Sequence, residues 1–178
     1  INMWRFAEET GDVFKPTYWL GGTDPDSKSF VDWGDNLGEW TAANCNIGEA
    51  TASPDGSLTA QHLEGSGDFP SVTLALNKGL AAGEKYTLKF WAKEDGATSD
   101  TFTASFVGVT PTLAAQNPTT GWVEYELTVT PTADVTSPTI KVALSANDST
   151  LRLWGVRVYQ GESADVPEYV PRCSTGYD

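Results

Sequence analysis

Residues 85–93, Lys85-Tyr86-Thr87-Leu88-Lys89-Phe90-Trp91-Ala92-Lys93, alternate without a break. Tyr86, Leu88, Phe90 and Ala92 share one parity; Lys85, Thr87, Lys89, Trp91 and Lys93 share the other. A period of two sends successive side chains to opposite faces of an extended chain, so this run reads as a strand with one core face and one solvent face. The same alternation returns in short pieces at 40–52, 57–63, 71–76, 101–109, 122–130, 139–145 and 151–159, with a shorter opening run at 2–9. Between the pieces stands turn chemistry: Ser53-Pro54-Asp55-Gly56, Gly65-Ser66-Gly67-Asp68, Leu80-Ala81-Ala82-Gly83 and Asn147-Asp148-Ser149.

No window sustains a 3.6-residue period between caps, so helix is expected to be minimal. About eight to nine short strands, Thr- and Val-rich and divided by Gly, Pro and Asp, predict an all-β antiparallel β-sandwich. The jelly roll is the expected variant, because two packed sheets manage the strand edges. At 178 residues the chain reads as a single domain over 1–178. In the last strand, Leu151-Arg152-Leu153-Trp154-Gly155-Val156-Arg157-Val158-Tyr159, apolar residues fall on both parities, which suggests partial cover on both faces. Gly155 in its middle predicts a bulge or a close backbone approach.

One stretch breaks the rhythm. Residues 11–38 carry turn signals at Gly21-Gly22, Asp24-Pro25-Asp26 and Gly34-Asp35-Asn36, with Phe14, Tyr18, Trp19, Phe30 and Trp33 between them. Connections this long are usually functional or assembly elements. A short tail begins at about 171.

With 24 acidic and 11 basic side chains the net charge is −13. Such a field repels phosphate backbones and anionic membranes, so neither nucleic acid nor membrane is an expected partner. No apolar run reaches the roughly 20 residues a spanning helix needs. Cys45 and Cys173 do not make a disulfide framework; the favoured reading is one small buried residue and one tail thiol, with a bridge as the alternative.

Catalytic clusters are not evident. His62 is the single histidine, flanked by Gln61 and Leu63 within a strand, and it reads as a satisfied structural or surface group rather than a catalytic base. Two cysteines and one histidine show no zinc-ligand spacing. Asp24 and Asp26 share a turn that suggests calcium, but Lys28 occupies the next alternate position and no Glu closes the loop, so no metal or cofactor is expected beyond that pair. The chain is expected not to be an enzyme, and no catalytic residue is assigned.

Aromatics remain. Seven Trp and six Tyr exceed the needs of one small core. Aromatic faces stack on sugar rings and anchor protein interfaces. Tyr18, Trp19, Phe30 and Trp33 of the long insertion, with Trp91, are the candidate ligand- or partner-binding residues. The alternatives are that the insertion folds back to bury its aromatics, and that Trp91 lies between the two sheets.

Several segments, in order, carry a resemblance. Asn2-Met3-Trp4-Arg5-Phe6-Ala7-Glu8-Glu9 is similar to the opening of carbohydrate-binding-module-like jelly-roll domains of bacteriophage virion proteins, including head and tail fibres. Trp40 with residues 52–60, residues 83–93, Gly121-Trp122, and residues 153–164 with Tyr169-Val170-Pro171 resemble later stretches of the same pattern, and the resemblance implies that Trp40, Trp122 and Trp154 are core. The stretch between Glu9 and Trp40 is longer than in that pattern, and the tail lacks its usual threonine.

The resemblance implies a galactose-binding-like jelly roll serving as a non-catalytic virion structural or accessory protein: capsid decoration, head fibre or tail appendage. Its implied location is the virion. Its implied partners are other virion proteins or cell-surface polysaccharide, with homo-oligomerisation by analogy. The alternative is a carbohydrate-binding module of a secreted polysaccharide-degrading enzyme.

Overall fold

The computed structural model describes residues 40–56, 58, 60–96 and 100–166. The expected opening strand 2–9, the stretch 11–38 with Tyr18, Trp19, Phe30, Trp33 and the Asp24/Asp26 pair, and the tail with Cys173 lie outside the described residues. Ten strands occur among those described: β1 (Thr41–Ala43), β2 (Cys45–Thr51), β3 (Ala60–Gly65), β4 (Ser71–Ala75), β5 (Tyr86–Lys93), β6 (Phe102–Phe106), β7 (Leu113–Gln116), β8 (Val123–Val129), β9 (Thr139–Leu144) and β10 (Thr150–Gln160). One turn of 3-10 helix, Ser163–Asp165, follows β10. The first sheet has the order β1-β4-β9-β6-β7 and the second β2-β3-β10-β5-β8. Every pairing is antiparallel. This is the all-β two-sheet sandwich that the alternation predicts.

Alternation sets the core. Leu88, Phe90, Leu127 and Val129 from the second sheet meet Val72, Phe102, Phe106, Ile140 and Val142 from the first, all buried in one cluster. Phe102 joins the sheets: its ring stands edge-on to Tyr125 at 4.9 Å between centroids and to Phe90 at 5.9 Å. Burying a Phe of this kind contributes roughly 2–3 kcal/mol from apolar area alone. Burial also raises the Tyr125 hydroxyl above its ordinary pKa.

The strand count differs from the expectation at two places. The run 40–52 is two strands, because Asn44 adopts a left-handed backbone (φ 48°) and carries the chain from β1 in the first sheet to β2 in the second. Asn tolerates that conformation better than most residues. The second addition is β7, whose Leu-Ala-Ala-Gln run shows no alternation to read.

β10 explains its mixed pattern. Its register with β5 shifts by one between Trp154 and Arg157, and Gly155 sits at φ 64°. That is a bulge with glycine in the left-handed position. Without Gly155 the run would alternate throughout, so the bulge keeps Leu151, Leu153, Val156 and Val158 all on the core face. The two-parity pattern thus has two sources: an extra residue interrupts one inward face, and the outward Trp154 and Arg157 are themselves buried, which is the partial cover on both faces that the pattern suggests.

Candidate functional site

The outer faces of the two sheets differ in chemistry. On the first, successive rows read Thr41–Thr73–Lys141–Ser105 and Ala43–Ser71–Ala143–Thr103. These are short side chains with one charge among them, and they offer a ligand little to grip. The second sheet presents Glu124–Trp91–Trp154 in one row and Lys93–Arg152–His62 in the next. The candidate site is this face.

Parity places each member. Trp91 projects outward because Phe90 and Ala92 point into the core, and it is half-buried. It therefore does not lie between the sheets. Trp154, opposite Trp91 in β10, also faces outward, yet it is buried to 5 % exposure. Trp122, just before β8, is half-buried and carries Lys93 over its ring, with Nζ 5.7 Å from the centroid. The buried assignment thus holds for Trp40 and for Trp154, although Trp154 is buried on the outer side of the second sheet, and it needs correction for Trp122, which is half-buried on that side. For Trp122 the reason is visible in its own strand: Val123, Tyr125, Leu127 and Val129 share the opposite parity.

Asp95, immediately after β5, organises the polar end of the row. Arg152 Nη2 donates to its Oδ1 at 2.7 Å, and its Oδ2 pairs with His62 Nδ1. Its backbone carbonyl accepts from the Thr150 hydroxyl at 2.8 Å. Burial alone would raise the Asp95 carboxyl, but the hydrogen bonds and charges of Arg152 and His62 outweigh it and hold the group below the usual carboxylate range. Gly48, within the irregular stretch of β2, packs against the imidazole; a Cβ there would stand 2.9 Å from His62 Cδ2.

Deeper on the same face the charges interlock. Arg157, in β10, reaches Glu124 Oε2 at 2.5 Å, and Lys89 lies 3.7 Å from both Glu124 and Glu126. Ser163 hydrogen-bonds Glu126, and Lys85 pairs with Glu162, so the turn after β10 is fastened to the outer side of β5 and β8. Thr87 is wholly buried there, donating to the Gly161 carbonyl. What stays half-open is the strip Trp122, Lys93, Trp91, Arg152, His62 and Asp95. Three gaps between neighbouring strands at roughly 4.8 Å give that strip a length of about 14 Å, room for a short run of sugar rings.

The strip lies on a charge-balanced face of an acidic chain. Lys89, Lys93, Arg152 and Arg157 there oppose Glu64, Asp95, Glu124 and Glu126. Sequence reading did not find the His62–Asp95–Arg152 cluster, because its members come from three separate segments and share no local spacing. Among the described residues no group of three or more His, Cys, Asp or Glu could hold a metal ion, and no helix is long and apolar enough to cross a membrane. Cys45 is a free, buried thiol.

No protein-family model matches the chain, and no curated protein matches its sequence. Solved structures do match in fold. The C-terminal family 22 carbohydrate-binding module of Clostridium thermocellum Xyn10B, studied for the role of cleft residues in ligand binding, superposes with a TM-score of 0.61 at 14% identity, over 83% of this chain and 100% of that one. The CBM22-1 xylan-binding domain of Paenibacillus barcinonensis Xyn10C gives 0.53 at 13%, over 70% and 86%. The enzymatically active domain of tailspike protein 4 from bacteriophage CBA120 gives 0.53 at 18%, over 75% of this chain and 22% of that one. The protein thus has the β-sandwich fold of the carbohydrate-binding modules. Modules of family 22 and a phage tailspike domain are among the structures that share this fold.

Proposed function

We propose that this chain is a non-catalytic carbohydrate-binding domain that lays a neutral polysaccharide across the outer face of the second sheet. The observation that carries the reading is the row Trp122, Lys93, Arg152 and His62, with Trp91 beside it. Aromatic rings offer faces for sugar C–H groups, and guanidinium and imidazole offer fixed partners for hydroxyls. Asp95 holds two of those partners in place before any ligand arrives, which lowers the ordering cost of binding. Polyanionic glycans are disfavoured by the net charge of −13. The xylan-binding domains among the structural neighbours support the ligand class.

Affinity electrophoresis in gels containing xylan, mixed-linkage β-glucan or galactomannan tests this directly. At least one should retard the native protein, and Trp91→Ala and Trp122→Ala should each weaken retardation tenfold or more with the circular dichroism spectrum unchanged. No retardation by any of these polymers, or retardation indifferent to both substitutions, overturns the reading.

The same domain on a phage particle is a second reading, supported by the resemblance to virion jelly rolls and by the shared fold of the tailspike domain. Cell-surface polysaccharide and other virion proteins are then its partners, in a homo-oligomer or a mixed assembly. A mass-spectrometric inventory of purified particles that lacks the polypeptide removes it. Tyr18, Trp19, Phe30 and Trp33 belong to the proposal as additional contacts. Deleting 11–38 should then lower glycan affinity while leaving one cooperative melting transition; loss of folding would reassign those aromatics to stability.

A further inference from the structure

Phe69 has a left-handed backbone, with φ at 55°, and is 88 % exposed. Three non-glycine residues among those described have positive φ: Asn44, Phe69 and Asp148. All three sit on connections that cross between the sheets at one end of the sandwich: β1 to β2, β3 to β4, and β9 to β10. Asn and Asp visit that region readily, whereas a bulky aromatic there is an outlier. Phe69 therefore bears backbone strain without the return of burial, a combination that concentrates at functional sites.

The loop that displays it is held on several sides. Ser66 N–H donates to the Asn44 carbonyl at 2.8 Å, and Asn44 Nδ2 donates to the Asp68 carbonyl at 2.6 Å. Gly65 N–H donates to Ser149, Asp148 N–H returns to Gly65, and Leu144 N–H donates to Pro70. A Cβ at Gly65 would stand 2.7 Å from the Ala146 carbonyl oxygen, so the loop is seated closely on the β9–β10 connection. The ring is thus presented to solvent on a fastened base, with the exposed Asp68, Ser66 and Asp148 close by in the chain or across the loop.

We propose that Phe69 is a second glycan-contact point, separate from the row on the second sheet, stacking on the C–H face of one pyranose ring while Asp68 or Asp148 accepts hydrogen bonds from its hydroxyls. This rests on the reading of the chain as a carbohydrate-binding domain. The site takes the same class of neutral polymer. It stands beyond the Glu64–Thr150 pair, at the end of the sheet that also carries His62 and Arg152. Occupied together, the two contacts would favour long chains over short oligosaccharides.

Xylohexaose, cellohexaose and mannohexaose, titrated separately into the full chain and followed by amide and aromatic NMR, test the site. The expected result with at least one sugar is saturating shifts at amides 66–69 and at the Phe69 ring. Phe69→Ala should weaken the loop response at least tenfold while the Trp91 indole still responds. Phe69→Asn should abolish the loop response and raise Tm by about 2–4 °C, because Asn relieves the left-handed strain. A response at Trp91 or Trp122 with silence at 66–69 overturns this inference and leaves the sheet-face reading standing; silence at both places for all three sugars sinks both. A fall in Tm for Phe69→Asn removes the strain argument. Self-association that Phe69→Asn abolishes, without a sugar response in the loop, overturns it in favour of a protein contact.

Discussion

Arg157 reaches from β10 across β5 to Glu124 on β8, its Nη2 donating to Oε2 at 2.5 Å while the residue is only 6 % exposed. Its Nη1 also donates to the Gly155 carbonyl at 2.9 Å, so one guanidinium ties the bulge of β10 to the strand two places away. A buried guanidinium in a sandwich this small needs such partners, since an unpaired charge there is costly. Arg157→Met keeps much of the stem packing and removes the donors. It should lower stability by about 1.5–3 kcal/mol, the range for hydrogen bonds to charged groups. Glu124→Gln keeps an acceptor but leaves the buried guanidinium without its counter-charge, so it should cost at least as much. Urea unfolding of both variants, with unchanged m-values, checks the order.

The bulge itself yields a less obvious expectation. Deleting Gly155 leaves Leu151 and Leu153, then Val156 and Val158, on the core face, because the glycine is an extra residue in an otherwise alternating run. The deletion variant should therefore still fold cooperatively, with a loss of about 1–2 kcal/mol because the Gly155 carbonyl that accepts from Arg157 is removed. Deleting Lys89 in the regular strand β5 removes one step of a true alternation and turns its neighbours to the wrong face, so that variant should not fold. Thermal melts of the two deletions separate a bulge from a ladder position; equal damage in both would contradict this account of β10.

The same contrast shows where sequence reading succeeds. Residues 85–93 disclose their inward and outward sides because nothing interrupts the period, and β6, β8 and β9 follow the same rule. Gly155 announces the bulge of β10, but which residues it turns inward is set by the partner strand, which the local pattern does not contain. The run 40–52 misleads because a single left-handed Asn redirects the chain without a Gly or Pro to announce it. Family position implies a core site for Trp122 and Trp154; Trp154 is buried, whereas the parity of β8 already opposes a core site for Trp122. His62 does read as a satisfied group, but its partner Asp95 lies 33 positions away, and only the sheet register brings Arg152 to the other oxygen. Phe69 follows an ordinary Gly-Ser-Gly-Asp turn signal; its strain is a property of the backbone alone.

Asp95 gives the pH dependence. Its folded-state pKa is lowered below the ordinary carboxylate value because Arg152 and His62 favour the ionised form more than burial disfavours it. A carboxyl so lowered stabilises the fold fully above the unfolded-state pKa of about 3.9, and that contribution is lost as pH falls through the folded value. Asp95→Asn cannot ionise and lacks the contribution at every pH. At pH 6 the variant should be less stable than the native protein by about 1–3 kcal/mol. The gap should hold down to about pH 4 and then close as pH falls further through the lowered folded-state value and the native carboxylate protonates. Paired thermal melts across that interval read the difference directly, with other acid-linked losses shared by both proteins. A gap that stays constant to the acid end would mean that Asp95 contributes through packing or a neutral hydrogen bond, and that its hold on His62 and Arg152 is not electrostatic.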